Sequence, residues 1–195
     1  MKAKRFLLLV VAICLASGVE AQFYDSEQVY CYEYQYTFNN DVKKDEDNPN
    51  PWIEFVLFKN GCMGEFRTTK NDIREKGETS YFEESVRKDF LSRYNKFNAS
   101  SPAYGIPPSM FVYDSSLSKG STYTYRDQQH NTRQLRYDSW LGIVYGWNGT
   151  SWKTKCYSFS TDKKEMIEWW TDSHWKNYYK LVDANAYKPN TDFLW

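Results

Sequence analysis

Val29–Phe38, VYCYEYQYTF, alternates with a period of two residues. Tyr30, Tyr32, Tyr34, Tyr36 and Phe38 fall on one side of an extended chain, and Val29, Cys31, Glu33, Gln35 and Thr37 fall on the other. The pattern predicts a β-strand with a wholly aromatic face. A buried tyrosine hydroxyl needs a polar partner, so this face suits a half-wet cavity or a sheet surface better than a dry interior. Tyr30, Tyr32, Tyr34 and Tyr36 are therefore the candidate ligand-binding residues. An amphipathic ligand cavity, a carbohydrate-stacking platform and a protein-binding surface compete as uses for the face, with plain packing as the alternative to all three.

Working outward, Asn39 to Pro51 is rich in Asp, Asn, Lys and Pro and reads as an exposed loop. Trp52 to Phe58, WIEFVLF, is apolar enough for a central strand, and the Asn60-Gly61 turn would return Cys62 to Thr68 as its partner. Ser80 and Glu83 form a capping-box pattern before Phe82, Val86, Phe90, Leu91, Tyr94 and Phe97, which recur at helical steps and predict a long helix near 81–97. Ser109–Asp114, Ser121–Arg126 and Gln134–Trp140 read as strands, and Leu141–Trp147 and Ser151–Phe159 flank a second turn at Asn148-Gly149. Beyond Phe159 the period changes. Asp162 and Glu165 could cap a helix carrying Met166, Trp169 and Trp170, and Trp175, Tyr178, Tyr179 and Val182 continue at helical spacing. The expected fold is α+β: a mainly antiparallel sheet of six to eight strands, one long helix, and a shorter C-terminal helical segment.

Residues 1–21 read as a secretory signal. Lys2, Lys4 and Arg5 precede the apolar run Phe6–Leu15, and Val19 and Ala21 supply small residues at a cleavage site. The run is too short to span a bilayer, so no membrane span is expected. The mature protein, 22–195, reads as one secreted extracellular domain beginning at Gln22. Removal of the signal takes three of 25 basic and one of 25 acidic side chains, leaving a net charge of about −2 and no basic surface for nucleic acid. Asn98-Ala99-Ser100 and Asn148-Gly149-Thr150 are N-glycosylation acceptors. Cys31, Cys62 and Cys156 remain in the mature chain, an odd number. That predicts one bridge and one odd thiol available for a dimer, with all three pairings open.

The chain carries no recognisable catalytic pattern. No Gly-x-Ser-x-Gly elbow accompanies His130 or His174, no Gly-rich phosphate loop is present, and no carboxylate pair stands out. The cysteines lack metal-site spacing, and Asp41, Asp45, Glu46 and Asp47 lack the alternation and glycine of a calcium loop. Neither an enzyme nor a cofactor or metal is expected. Aromatic residues, at 19% with 17 Tyr and 8 Trp, are the feature most out of proportion.

Gly105-Ile106-Pro107-Pro108, then Ser139-Trp140-Leu141-Gly142, then a polar strand leading to Cys156, resembles the second half of the ependymin-related secreted glycoproteins. The chain departs from them at Tyr157-Ser158, where that family has a proline after the cysteine. The resemblance implies a curved antiparallel sheet around a hydrophobic ligand pocket, with Ca²⁺-linked extracellular binding. It also favours Cys62–Cys156 as the bridge, with Cys31 left as the odd thiol. The resulting expectation is a secreted, non-enzymatic glycoprotein that binds an amphipathic or hydrophobic ligand. The alternative is a secreted interaction protein (an effector, inhibitor or matrix component) whose aromatic surface meets a protein or glycan.

Overall fold

Alternating and apolar runs become strands throughout the computed structural model, which describes residues 28–44, 48–59, 61–99, 110–114, 122–126, 131–136, 140–147, 152–160, 162–170 and 173–187. In chain order these are β1 (Val29–Asn39), β2 (Val42–Lys44), β3 (Trp52–Lys59), β4 (Cys62–Thr69), helices α1 (Lys70–Lys76) and α2 (Ser80–Ala99), β5 (Met110–Asp114), β6 (Thr122–Arg126), β7 (Thr132–Arg136), β8 (Trp140–Trp147), β9 (Trp152–Ser160), β10 (Glu165–Trp170) and β11 (Trp175–Leu181), followed by a 3₁₀ turn at Ala184–Tyr187. The protein is thus α+β, with a mainly antiparallel sheet. No helix among the described residues is long and apolar enough to cross a membrane.

Strands β1, β3, β4, β5, β8, β9, β10 and β11 each pair antiparallel with the next, and β11 pairs back onto β1. The eight strands therefore curl into an up-and-down barrel, in which inward and outward residues alternate along a strand except where a bulge interrupts it. The β6–β7 hairpin lies outside this ring and touches β2 through the parallel bridge Val42–Arg126.

Cross-strand register fixes the inner face. Tyr30 opposes Val56, Tyr32 opposes Glu54, Phe58 opposes Met63, Phe159 opposes Met166, and Tyr34 opposes Tyr179. These apolar side chains, with Phe111 and Tyr157, form one buried cluster. The outer face of β1, β3 and β4 carries a second cluster, where Cys31, Ile53, Phe55, Leu57 and Cys62 meet Phe82, Val86 and Phe90 of α2. Gly64 makes that seat possible. A Cβ added there would lie 2.7 Å from Cβ of Phe90, so only glycine lets the helix approach.

The helices start differently from the sequence expectation. Ser80 turns its hydroxyl to Glu78 (3.4 Å), and the first turn of α2 hangs on the Thr79 carbonyl, which accepts from the amides of Phe82 and Glu83. The reciprocal capping box is instead Thr69 with Asp72, on the short helix α1 that hydrophobic periodicity missed. Gly77, at φ 68°, closes α1 in the left-handed region.

The expected C-terminal helix is a correction. Its residues form β10 and β11. A barrel strand covered on both faces loses its polar alternation: in EMIEWW, Met166 and Glu168 face inward, while Ile167 packs outward with Tyr178, Phe38 and Trp169. Such a run also satisfies helical spacing. Trp140 likewise opens β8 rather than ending the preceding strand.

The Cys62–Cys156 bridge is a second correction. All three cysteines are buried, and no disulfide joins any two of them. β5 and β8 separate β4 from β9, three strand steps or about 14 Å along the sheet, against the roughly 7 Å limit between bridged Cα atoms. Burial pushes the Cys62 thiol up to about 11 and raises that of Cys31 further.

Candidate functional site

The aromatic row of β1 is broken in the middle. Tyr34 opposes Tyr179 while Tyr36 opposes Tyr178, so two steps on β1 match one on β11 and Gln35 is the extra residue of a bulge. Tyr30, Tyr32 and Tyr34 stay inside. Tyr36 is turned to the outer face, stacked on Tyr178 at 4.6 Å and edge-on to Phe38 at 5.1 Å. It is therefore not part of an internal site with the other three. After the bulge Thr37 takes the inward position, where it accepts a 2.6 Å bond from the Tyr34 hydroxyl and donates to Asn177 Oδ1 at 2.8 Å.

One end of the barrel is closed by aromatic packing. Phe58 lies edge-on to Tyr30 (6.0 Å) and Phe159 (4.9 Å), and Tyr32 lies against Phe159 at 5.8 Å. Lys163, in the β9–β10 turn at φ 61°, covers this end. Its Nζ donates to the Tyr30 hydroxyl and its carbonyl accepts from Tyr32, both at 2.9 Å. The hydroxyls of the aromatic row are thus engaged by the protein itself, as buried tyrosine demands.

The other half of the interior is charged. Glu54, Glu65, Arg67, Lys155 and Glu168 all occupy inward positions on β3, β4, β9 and β10, as Glu54–Arg67 and Glu168–Tyr157 register shows. Arg67 donates from Nε to Glu54 Oε1 at 2.5 Å, and from Nη2 to Glu168 Oε1 at 2.6 Å and the Tyr179 hydroxyl at 3.3 Å. Lys155 Nζ lies 2.8 Å from both Glu65 Oε2 and Glu168 Oε1. Glu168 Oε2 accepts from Tyr179 at 2.8 Å and Asn177 at 3.0 Å, and the Tyr157 hydroxyl donates to Glu65. Glu54 and Glu168 are fully buried.

Three carboxylates thus face two cations, and the surplus falls on Glu54. Burial and the nearby Glu65 push its carboxyl up to about 8, despite the opposing pull of Arg67 and Lys155. Burial would raise Glu168 as well, but Lys155 and Arg67, with their hydrogen bonds and that of Asn177, hold it below the ordinary carboxylate value. Lys155 is raised against burial by Glu65 and Glu168, so it stays charged. Oε2 of Glu54 has no hydrogen-bond partner among the described residues.

Tryptophans rim this end. Trp52 and Trp175, two residues before the inward Glu54 and Asn177, are 47% and 46% exposed. Trp170 follows Glu168 by two and opposes Lys155. Arg67 sits over the Trp52 ring at 5.9 Å and Lys155 over the Trp170 ring at 6.0 Å. Arg67 itself reaches solvent, with a third of its side chain exposed, so the charged cluster opens outward between the rings.

The sequence pointed to Tyr30, Tyr32, Tyr34 and Tyr36, of which the last faces outward, and missed Glu54, Glu65, Arg67, Lys155 and Glu168. The available signal was a charge inside an apolar strand, Glu54 in WIEFVLF and Glu168 in EMIEWW. A concavity of about 390 Å³ lies away from the charged cluster, lined by Tyr30, Cys31, Phe55, Glu83, Val182 and Asp183, and contains no orphaned buried polar atom. His174 is exposed in the β10–β11 turn. Among the described residues no cluster of His, Cys, Asp or Glu could hold a metal ion. Asn98 lies in the last turn of α2 rather than beyond it; Gln22, Asn60, His130, Asn148 and residues 45–47 lie outside the described residues. No family model, curated protein or solved structure matches the chain.

Proposed function

We propose that this is a secreted, N-glycosylated carrier that takes one small amphipathic ligand into the tryptophan-rimmed end of its barrel. Eight antiparallel strands form a barrel of the size whose interior either fills with side chains or holds one small ligand. The observation that carries the reading is the fully buried Glu54 carboxylate with Oε2 unpartnered. Burying ion pairs is seldom worth more to stability than apolar packing of the same volume. A charged, incompletely satisfied cluster beside an aromatic core is therefore better explained by a ligand than by folding. The exposed tryptophan rings at the rim would take the ligand's apolar part, and the charged cluster its polar part.

Secreted protein, delipidated and titrated with the neutral dye N-phenyl-1-naphthylamine, tests this. The expected result is blue-shifted emission saturating at one dye per chain, with quenching of tryptophan fluorescence. No uptake, together with an organic extract of undelipidated protein free of small molecules, would refute it.

A further inference from the structure

Resting on the reading that a ligand enters the barrel, we infer that the polar head of that ligand is a cation of the ammonium type, received by Oε2 of Glu54. The donors an anion would need are already committed. Arg67 is divided between Glu54 and Glu168, and Lys155 between Glu65 and Glu168. An anion would also add a third or fourth negative charge to a buried site where two cations already face three carboxylates. A cation brings the count to three against three.

The geometry around the orphaned oxygen agrees. Glu54 is fully buried on the inner face, with Tyr32 directly opposite on β1 and Arg67 opposite on β4. Oε1 is taken by Arg67, so Oε2 is the acceptor left over. Tyr32, Tyr157 and Tyr179 place aromatic rings on the same inner face, and ring faces attract ammonium groups. The groups facing Glu54 are Glu65 and Arg67 from β4, Lys155 and Tyr157 from β9, Glu168 from β10, Tyr179 from β11 and Tyr32 from β1. Of these, the carboxylates disfavour a third charge until a cation joins them.

Binding therefore exchanges one proton for one cation. Glu54 is protonated near neutral pH, so an ammonium must displace its proton. Affinity for a cation should rise roughly tenfold per pH unit as pH climbs toward the Glu54 value, and each binding event should release about one proton near pH 6.5 and about half a proton near pH 8. A neutral acceptor head, held by a protonated Glu54, would show the opposite pH trend and no release.

The test uses one tail and three heads: 2-phenylethylamine, 2-phenylethanol and 3-phenylpropanoate, titrated calorimetrically into wild-type protein at about pH 6.5 and pH 8. Repeating each titration in buffers of different ionisation enthalpy counts the protons released. The expected result is that the amine binds at least about tenfold tighter than the alcohol at the higher pH, tightens with pH and releases a proton. In Glu54→Gln the amine loses this preference and the proton release, while the alcohol still binds. An alcohol or carboxylate that binds as tightly as the amine overturns the cation assignment and leaves the barrel site standing. Failure of all three probes and of N-phenyl-1-naphthylamine overturns the barrel site itself. Should Glu54→Gln not fold, the wild-type ligand ranking and proton count decide the matter alone.

Discussion

Glu54→Gln should change how stability depends on pH, with no ligand present. The carboxyl has an ordinary value near 4.5 and is pushed up to about 8 in the fold. Between those values the folded protein keeps a proton that the unfolded chain gives up. Stability is full below the lower value and falls as pH rises through the upper one. At 1.36 kcal/mol per unit, the shift corresponds to about 4–5 kcal/mol over the whole window, of which about 2–3 kcal/mol falls between pH 6 and 8. For a domain of this size that is a drop in Tm of roughly 5–10 °C. Glu168, held below its ordinary value, acts the other way and only in acid, since its contribution is lost as pH falls. It does not mask the effect at neutral pH. Gln keeps the shape and one acceptor for Arg67 but cannot ionise. Thermal unfolding followed by near-ultraviolet circular dichroism at pH 6, 7 and 8 should show wild-type Tm falling and the variant's slope reduced by at least half. Every other ionisable group is common to both proteins, so the comparison cancels their contributions. Parallel curves, or wild-type Tm rising with pH, would refute the placement of Glu54 in this cluster.

Gly64→Ala forces a methyl to within 2.7 Å of Cβ of Phe90, an atom fixed to the helix; a cost of about 1–3 kcal/mol is expected in denaturant unfolding, and an unchanged midpoint would mean α2 is not seated on β4. Glu168→Ala strips the shared partner from Arg67, Lys155, Tyr179 and Asn177 and should cost about 3–5 kcal/mol by the same measurement. Cys31 and Cys62, buried with raised thiol pKa values, should react with iodoacetamide at neutral pH only after unfolding; rapid labelling of the native protein, or a non-reducing peptide map that joins any pair of the three cysteines, contradicts the described fold.

The strands of the first half were legible because each obeys one dominant rule. VYCYEYQYTF alternates, WIEFVLF is apolar throughout, and the segment from Cys62 returns from a Gly-containing turn. Three features were not legible, each for a physical reason. β10, covered outside as well as inside, loses its polar alternation, and it and β11 matched a helical template through Met166, Trp169, Trp175 and Tyr179. Helix α1 buries only Ile73; its existence rests on the Thr69–Asp72 box and on Gly77, which a search for apolar periodicity passes over. The bulge at Gln35 shows nothing in the sequence, because polar and aromatic residues alternate straight through it. The charged cluster was hidden for a related reason. Its five members come from β3, β4, β9 and β10, and only the register of a closed sheet brings Glu54 and Glu168 to the same arginine.

The bulge also explains why the two ends of the barrel differ. An unbroken β1 would have placed Tyr36 and Phe38 inside, extending the aromatic packing to the rim and leaving no inward place for Thr37. By shifting the parity one residue, Gln35 sends Tyr36 and Phe38 outward to cover Ile167 and Tyr178 and turns Thr37 inward toward Asn177. The inner face of β1 thus passes from Tyr30 and Tyr32, bonded to Lys163, to Tyr34 and Thr37, bonded toward Glu168 through Asn177. The bulge falls where β1 has finished pairing with β3 and has yet to meet β2, with the last and first partners at Glu33 and Thr37. An extra residue there disturbs the ladder to β11 alone and so costs little. One inserted residue at the point of least resistance gives the interior an apolar end and a charged end.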